Sequence, residues 1–414
     1  MRSAHTRLVP ALAALLLLAP VARGGDPLDE LEATWRRVRA EGCIESQMVR
    51  GYLRGFLGRR PAAPDWTPRT HGKGRLERGP GGVPIVHLAG TPEEIGEQHG
   101  KLLGREIRAL LGTYVTAFVG ARDLPAAKAR AARLFEPSFP PRLRREAEAL
   151  ARAADLPLED VLFGQCFTDV YRAFGCSTLA MPGPEGPFLA RNLDFPDMGF
   201  LGRYSVVFVI RPEGGRPFVS VGWPGLVGVL SGQSADLALA VMVVHNAEGA
   251  RAGVPFQLAF RDALERAGSV DEAEALLRQT ALTVTNNLML VDRQGVRRVL
   301  ELHPDGIVAR GPDDAGRLVA TNHFVTRERR KARLSFESIS SSRRFRAVQR
   351  ACPVERATTL DDARAALDAA SVPVTVQSML LLPGQDALEV ALPSRGPATR
   401  GDWVRLEGLL TNPR

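Results

Sequence analysis

One feature constrains the fold of this chain more than any other: its periodicity changes abruptly at Gly175. Before that residue, apolar side chains recur at helical spacing; after it, short β-branched or alternating runs are bounded by Gly and Pro. Thr91-Pro92-Glu93-Glu94 opens the clearest helix. Thr91 can cap it, Pro92 suits its first turn, and Glu94 stands where a capping box needs a carboxylate. Ile95, Leu102, Leu103, Ile107 and Leu110 then share one face. Helical patterns continue over 128–135, 141–154 and 158–174, and residues 27–60 look helical too. Residues 60–84, rich in Pro and Gly, read as a loop or extended chain. The segment up to 175 is therefore expected to be mainly helical.

After Gly175 the strand-like runs are 177–181, 187–192, 204–210, 218–222 and 237–245, then 288–292 and 298–303 with a hairpin ending near Val308. A closing hairpin pairs 375–382 with 387–392. Helical patterns at 256–267, 270–279, 340–350 and 360–370 separate and follow the strand groups. Two strand groups with helices before, between and after them predict stacked sheets sandwiched by helices.

Composition narrows the function classes. Hydrophobic residues make up 45% and charged residues 24% of the 414, the balance of a chain with a real core rather than a disordered one. Arg2 and Arg7, the apolar run Leu8 to Val21 and the small residues of Ala22-Arg23-Gly24 have the layout of a secretory signal, so residues 1–24 are expected to be removed on export to a periplasmic or extracellular space. The run falls short of the ~20 residues a membrane span needs, and no stable membrane insertion is expected after its removal. The net charge of +8 is spread along the chain, without basic and aromatic residues interleaved as nucleic-acid binding requires. The one dense run, Arg327 to Arg333, reads as a solvated face. Cys43, Cys166, Cys176 and Cys352 show no C-x-x-C spacing, and no metal or other cofactor is expected. Were Cys176 a free nucleophile, at most one disulfide could form among the other three, in any pairing.

The chemistry points to Gly175-Cys176-Ser177-Thr178, where a helical pattern ends and the first strand begins. Gly175 permits an unusual backbone at the scissile Gly175–Cys176 peptide, and the Cys176 thiol can attack the Gly175 carbonyl in an N-to-S acyl shift. Hydrolysis would free an N-terminal Cys whose α-amine, with an ordinary pKa of about 7.7 to 8.0, can serve as base for its own thiol. A lone Cys is more often a small buried hydrophobe, so a second constellation matters. A hairpin from Cys176, turning at Gly183 to Gly186, would bring Arg191 and Asp194 of Arg191-Asn192-Leu193-Asp194 beside the thiol. There Arg191 can favour the thiolate and Asp194 can hold the new amine; the bland reading of the two is a surface ion pair. Esterase and zinc-protease signatures are absent: Ser231 lacks the first Gly of Gly-x-Ser-x-Gly, and there is no His-Glu-x-x-His.

Cys176-Ser177-Thr178 followed by Arg191-Asn192-Leu193-Asp194 resembles the acyl-coenzyme A:6-aminopenicillanate acyltransferase family of C45-type peptidases, relatives of the penicillin V acylases and bile salt hydrolases. Gly90 to Gly100, Thr285-Asn286-Asn287-Leu288, Thr321-Asn322-His323-Phe324, Ser341-Ser342-Arg343-Arg344-Phe345 and Gln377-Ser378-Met379 are similar to further segments of that group, in the same order. The resemblance implies an α+β fold, the four-layer αββα sandwich of N-terminal-nucleophile hydrolases. Residues 25–175 would be a mainly helical pro-segment and 176–414 the catalytic segment, with the pro-segment staying bound after cleavage between Gly175 and Cys176.

The resemblance also implies roles. Cys176 is the nucleophile, flanked by Arg191 and Asp194. Asn246 donates to the oxyanion with a backbone amide, an interaction worth about 3 kcal/mol. Asn287, with Asn286 as a one-residue alternative, binds the reacting group. Arg344, with Arg343 as its alternative, keeps the site electropositive. His99, His245 and His323 are structural, since the amine already supplies the base. The expected reaction is attack on the linear amide of a small N-acyl compound through an acyl-thioester, resolved by water or an acceptor amine. The rivals are the same fold acting on lipid amides or esters, and an exported binding protein that never cleaves itself.

Overall fold

In the computed structural model of the protein, the described residues are 61–411 except 173, 245–248, 327–335, 354–355 and 394–395, and of 336–339 the backbone alone. The signal-like segment 1–24, the helical pattern 27–60, Cys43, Asn246, His245 and the Arg327 to Arg333 run lie outside them. Local signals build the first helix as expected. In α1 (Pro92–Ala109) the Thr91 side chain accepts from the Glu94 backbone and Glu94 returns the bond to Thr91. The helix continues through a π-type stretch, Leu110–Val115, into a last turn, Thr116–Val119. Then come α2 (Leu124–Phe135), α3 (Pro141–Ala154) and α4 (Leu158–Val170). A Cβ on Gly96 would lie 2.1 Å from the Glu146 carbonyl oxygen, so glycine lets α1 and α3 approach backbone to backbone.

The segment before Gly175 is not helical throughout. Residues 60–84, read as loop or extended chain, contain β1 (Arg69–His71) and β2 (Gly74–Arg78), and β3 (Pro84–Gly90) follows. The first two strands are too short for periodicity to mark. After Gly175 the chain forms the hairpin β4 (Gly175–Gly183) and β5 (Gly186–Asp194), then β6 (Val206–Pro212), β7 (Phe218–Gly222), β8 (Ser231–Ser234) and β9 (Leu237–Val243). Helices α5 (Phe256–Arg266) and α6 (Val270–Arg278) precede β10 (Asn286–Asp292), β11 (Arg297–His303), β12 (Gly306–Arg310) and β13 (Leu318–Ala320). The chain closes with α7 (Phe336–Ala351), α8 (Leu360–Ala369), β14 (Thr375–Leu382), β15 (Ala387–Ala391) and β16 (Val404–Glu407).

Two sheets result. One has the order β1-β2-β3-β6-β7-β8-β9-β10-β11-β12, the other β13-β4-β5-β14-β15-β16. Strand β3 runs parallel to β6, with Ile85 opposite Val207 and Leu88 opposite Ile210, so the segment before Gly175 is woven into the larger sheet. Alternation along β4 and β5 separates two cores. Leu179, Met181, Phe188 and Ala190 face Val348 of α7 and Leu367 of α8, while Cys176, Ala180, Leu189 and Leu193 face the larger sheet. Helices α1, α5 and α6 cover that sheet's outer side, and α7 and α8 cover the smaller one. The layers are therefore αββα. A one-residue slip of β4 would turn Cys176 out of the space between the sheets. Cys166 and Cys352 are buried and unpaired. Among the described residues no helix is long and apolar enough to cross a membrane, and no group of three or more His, Cys, Asp or Glu could hold a metal.

Candidate active site

The hairpin places the site. Gly183 pairs with Gly186 at its turn, and the register sets Cys176 opposite Leu193, Thr178 opposite Arg191 and Gly175 opposite Asp194. Residues facing each other across a ladder share a sheet face, so Arg191 lies diagonally from Cys176 between the sheets. Its Nη2 donates to Cys176 Sγ at 3.3 Å, and its Nη1 donates to the Leu230 carbonyl at 2.6 Å and to Ser231 Oγ. Asp194 points to the other face. Its Oδ1 accepts from Thr375 Oγ1 at 2.6 Å, and its Oδ2 lies 3.6 Å from Arg344 Nη1.

Arg344 reaches this place from α7. It donates to the Cys176 carbonyl, to Ser177 Oγ at 3.0 Å and to Asn322 Oδ1 at 2.7 Å. Arg343, its one-residue alternative, is exposed, because adjacent positions of a helix point about 100° apart. Asn322 contributes a contact that its motif does not announce. It lies just past β13, which pairs along the free edge of β4, and there its Oδ1 accepts the Cys176 backbone N–H at 2.9 Å while its Nδ2 donates to the Val243 carbonyl. Asn287 does not contact Cys176 but holds this loop, its Nδ2 donating to the Thr321 and His323 carbonyls on either side of Asn322. Asn286 faces the opposite way and accepts from Arg172. Asn246 lies outside the described residues.

Burial dominates the electrostatics. It pushes the Cys176 thiol above its ordinary range, with Arg191 and Arg344 pulling down and Asp194 adding to the rise. Burial also raises the Asp194 carboxyl, against the pull of Arg344 and the Thr375 hydrogen bond. His99, whose Nε2 accepts from the Gly225 N–H at 3.0 Å, is lowered to about 3, chiefly by burial. His323, held by Ser341 Oγ at 2.7 Å, is lowered to about 4 by burial and the neighbouring Arg344. Both rings are neutral at physiological pH and neither contacts Cys176. Phe174, two residues before Cys176, lies tilted against Phe195 with ring centroids 5.0 Å apart, and Phe195 lies 5.2 Å from Trp223.

Comparison with known proteins bears on this arrangement. The family model for acyl-coenzyme A:6-aminopenicillanic acid acyl-transferase matches residues 181–371, starting just after Cys176. The 40 kDa form of acyl-coenzyme A:6-aminopenicillanic-acid-acyltransferase of Emericella nidulans is 24% identical over 252 residues, 58% of this chain and 69% of that protein. Protein dcd1A of Dictyostelium discoideum is 25% identical over 228 residues, 46% of this chain and 52% of the relative, so the match spans about half of that relative's length. Among solved structures, a Caenorhabditis elegans N-acylethanolamine-hydrolyzing acid amidase ortholog aligns with a TM-score of 0.40 at 18% identity, over 50% of this chain and 93% of that one. Penicillin V acylase from Agrobacterium tumefaciens aligns with a TM-score of 0.40 at 13% identity, over 56% and 86%. The motifs, their order along the chain and the matching family model agree: over residues 181–371 this chain is similar to the acyl-coenzyme A:6-aminopenicillanic acid acyl-transferase family.

Proposed function

We propose that the chain is a self-processing cysteine amidohydrolase or acyltransferase that acts on the linear amide of a small N-acyl compound. One observation carries this reading. Cys176 heads a strand with its thiol 3.3 Å from a buried guanidinium and its backbone N–H held 2.9 Å from Asn322 Oδ1. In the uncleaved chain the thiol attacks the Gly175 carbonyl carbon. The C–S bond forms, the C–N bond breaks, and the thiol proton passes to the departing nitrogen. Water then hydrolyses the thioester, leaving a Gly175 carboxylate and an N-terminal Cys176 with a free amine and thiol.

The mature residue supplies nucleophile and base together. Asn322 Oδ1, already the acceptor for this nitrogen, orients the amine, and Asp194 accepts its charge. Arg191 stabilises the thiolate as the amine takes its proton. Attack on the substrate carbonyl places negative charge on oxygen, which the Asn246 side chain and a backbone amide receive. The leaving amine takes the proton back, and water or an acceptor amine resolves the acyl-thioester. The segment before Gly175 stays in place, tied by the β3–β6 pairing, and the signal-like N-terminus suits an enzyme working outside the cytosol.

The test is the intact mass, under denaturing conditions, of the purified protein beside Cys176→Ala. Two fragments split before Cys176 in the parent and one unbroken chain in the variant are expected. An unbroken chain in both would overturn self-processing and favour a binding protein.

A further inference from the structure

Beside Arg191 lies a cavity of ≈ 60 Å³ whose lining is aliphatic or aromatic except for Thr168 and Gln257. Leu230, whose carbonyl accepts from Arg191, is part of its wall, as are Phe195 and Trp223. Tyr114, from the π-type stretch after α1, completes it from the segment before the scissile peptide. The Tyr114 hydroxyl and the Trp223 ring N–H are engaged by the Pro196 and Leu201 carbonyls, so neither is free for a ligand.

Gln257 differs. It is 1% exposed, and its Nε2 donates to Thr168 Oγ1 at 2.6 Å, but its Oε1 has no hydrogen-bond partner among the described residues. A second buried amide close by shows how such a group is ordinarily satisfied. Gln165 donates to the Val161 and Gly225 carbonyls, and its Oε1 accepts from the Val227 and Gly228 N–H groups. A buried acceptor left without a donor is costly. A ligand that brings the donor recovers that cost, and one that fills the cavity with carbon alone does not.

We infer that this cavity receives the acyl group of the substrate and that Gln257 Oε1 selects an acyl group carrying a hydrogen-bond donor, with short hydroxyacyl chains as the fitting class. The size follows from the volume: a cavity of about 150 Å³ takes a benzene ring, so ≈ 60 Å³ suits a chain of a few carbons. The selection follows from chemistry, since a site built to bond a hydroxyl discriminates against the analogue lacking it far more strongly than an apolar pocket can. The inference rests on the amide-cleaving reading of Cys176.

The experiment compares the 7-amino-4-methylcoumarin amides of butyric, 3-hydroxybutyric and 4-hydroxybutyric acids. For the processed parent, kcat/KM for at least one hydroxyacyl amide is expected to exceed that for the butyryl amide about ten-fold or more. In Gln257→Met that ratio falls to about one, mainly by loss on the hydroxyacyl substrate. Equilibrium binding of the same amides to Cys176→Ala gives the preference without catalysis. A ratio near one in parental turnover and in binding to Cys176→Ala, or a preference retained in Gln257→Met, overturns the inference. If Gln257→Met does not accumulate, the parent's ratio alone decides. Preferential binding without any turnover leaves the pocket standing and sinks the amide-cleaving reading; turnover without preference does the reverse.

Discussion

Two buried arginines, Arg261 and Arg191, stand in opposite settings, one among carboxylates and the other beside the thiol proposed to react. Arg261 meets more charge than it carries. Its guanidinium donates to Glu146 twice at 2.7 Å, to Glu265 at 2.6 Å and to the Val227 carbonyl, tying α3 to α5 and to the chain before β8. Arg191, equally buried, has no carboxylate within ion-pair distance among the described residues. It bonds a carbonyl, a hydroxyl and a thiol, and the nearby Asp194 pairs instead with Arg344. Full compensation makes a guanidinium a structural tie. A guanidinium left without its anion beside a thiol is a standing bias towards the thiolate.

The largest effect should come from breaking the compensated cluster. Arg261→Met strands Glu146 in the interior, leaves Glu265 to Arg142 alone, and is expected to cost about 3–5 kcal/mol in urea unfolding. Its folded fraction should still cleave itself at the parental rate. Loss of cleavage at unchanged stability would erase the distinction between the two arginines.

Arg191→Met tests the other half. Burial already raises the Cys176 thiol and Arg191 pulls it down. Removing the guanidinium therefore raises the thiol further, and the pH profile of alkylation by a small iodoacetamide probe should move to higher pH. Turnover should fall about 10²–10³-fold, comparable to losing one preorganised donor. Stability should change by only about 1 kcal/mol, since no carboxylate is stranded. An alkylation profile that stays put, or one that moves to lower pH, would remove Arg191 from the chemistry.

The same contrast separates what the sequence could tell from what it could not. The β4–β5 hairpin was legible because its information is local: a Gly turn, alternating runs and a thiol, Arg and Asp within nineteen positions, 176 to 194. The Thr91–Glu94 cap was legible for the same reason. Asn322 was singled out within a motif but not assigned, because its partner depends on β13 pairing with the free edge of β4, a contact between residues 146 positions apart. Asn287 was expected at the reacting group; that its Nδ2 also anchors the Asn322 loop had no sequence signature, because the loop lies more than thirty positions away. The tie between Arg261, Glu146 and Glu265 had no sequence signature, since charged residues at helical spacing read as solvated faces. The part of β3 in the larger sheet was also invisible, because parallel pairing with β6 is a long-range contact.

The smallest effect concerns Gly175 and bears on why glycine precedes Cys176. Its backbone is not in the left-handed region that favours glycine, so conformational freedom is not the reason. Space is. A Cβ there would lie 3.1 Å from Asp194 Oδ2, 3.3 Å from Asp194 Cβ and 3.4 Å from Arg344 Nη2, tighter than or at the limit of ordinary contact. Gly175→Ala must therefore displace the carboxylate and guanidinium beside Cys176 by a few tenths of an ångström while leaving the apolar cores untouched. Self-cleavage should slow about ten-fold, ~1.4 kcal/mol in the barrier, with a change in unfolding free energy well below that of Arg261→Met. Cleavage at the parental rate would mean that the Asp194–Arg344 pair tolerates displacement and takes no part in aligning the scissile peptide. A loss of stability matching that of Arg261→Met would mean that the pair holds the fold together as Arg261 does, and the line drawn between the two arginine sites would then have to move to exclude Arg344 from the reacting side.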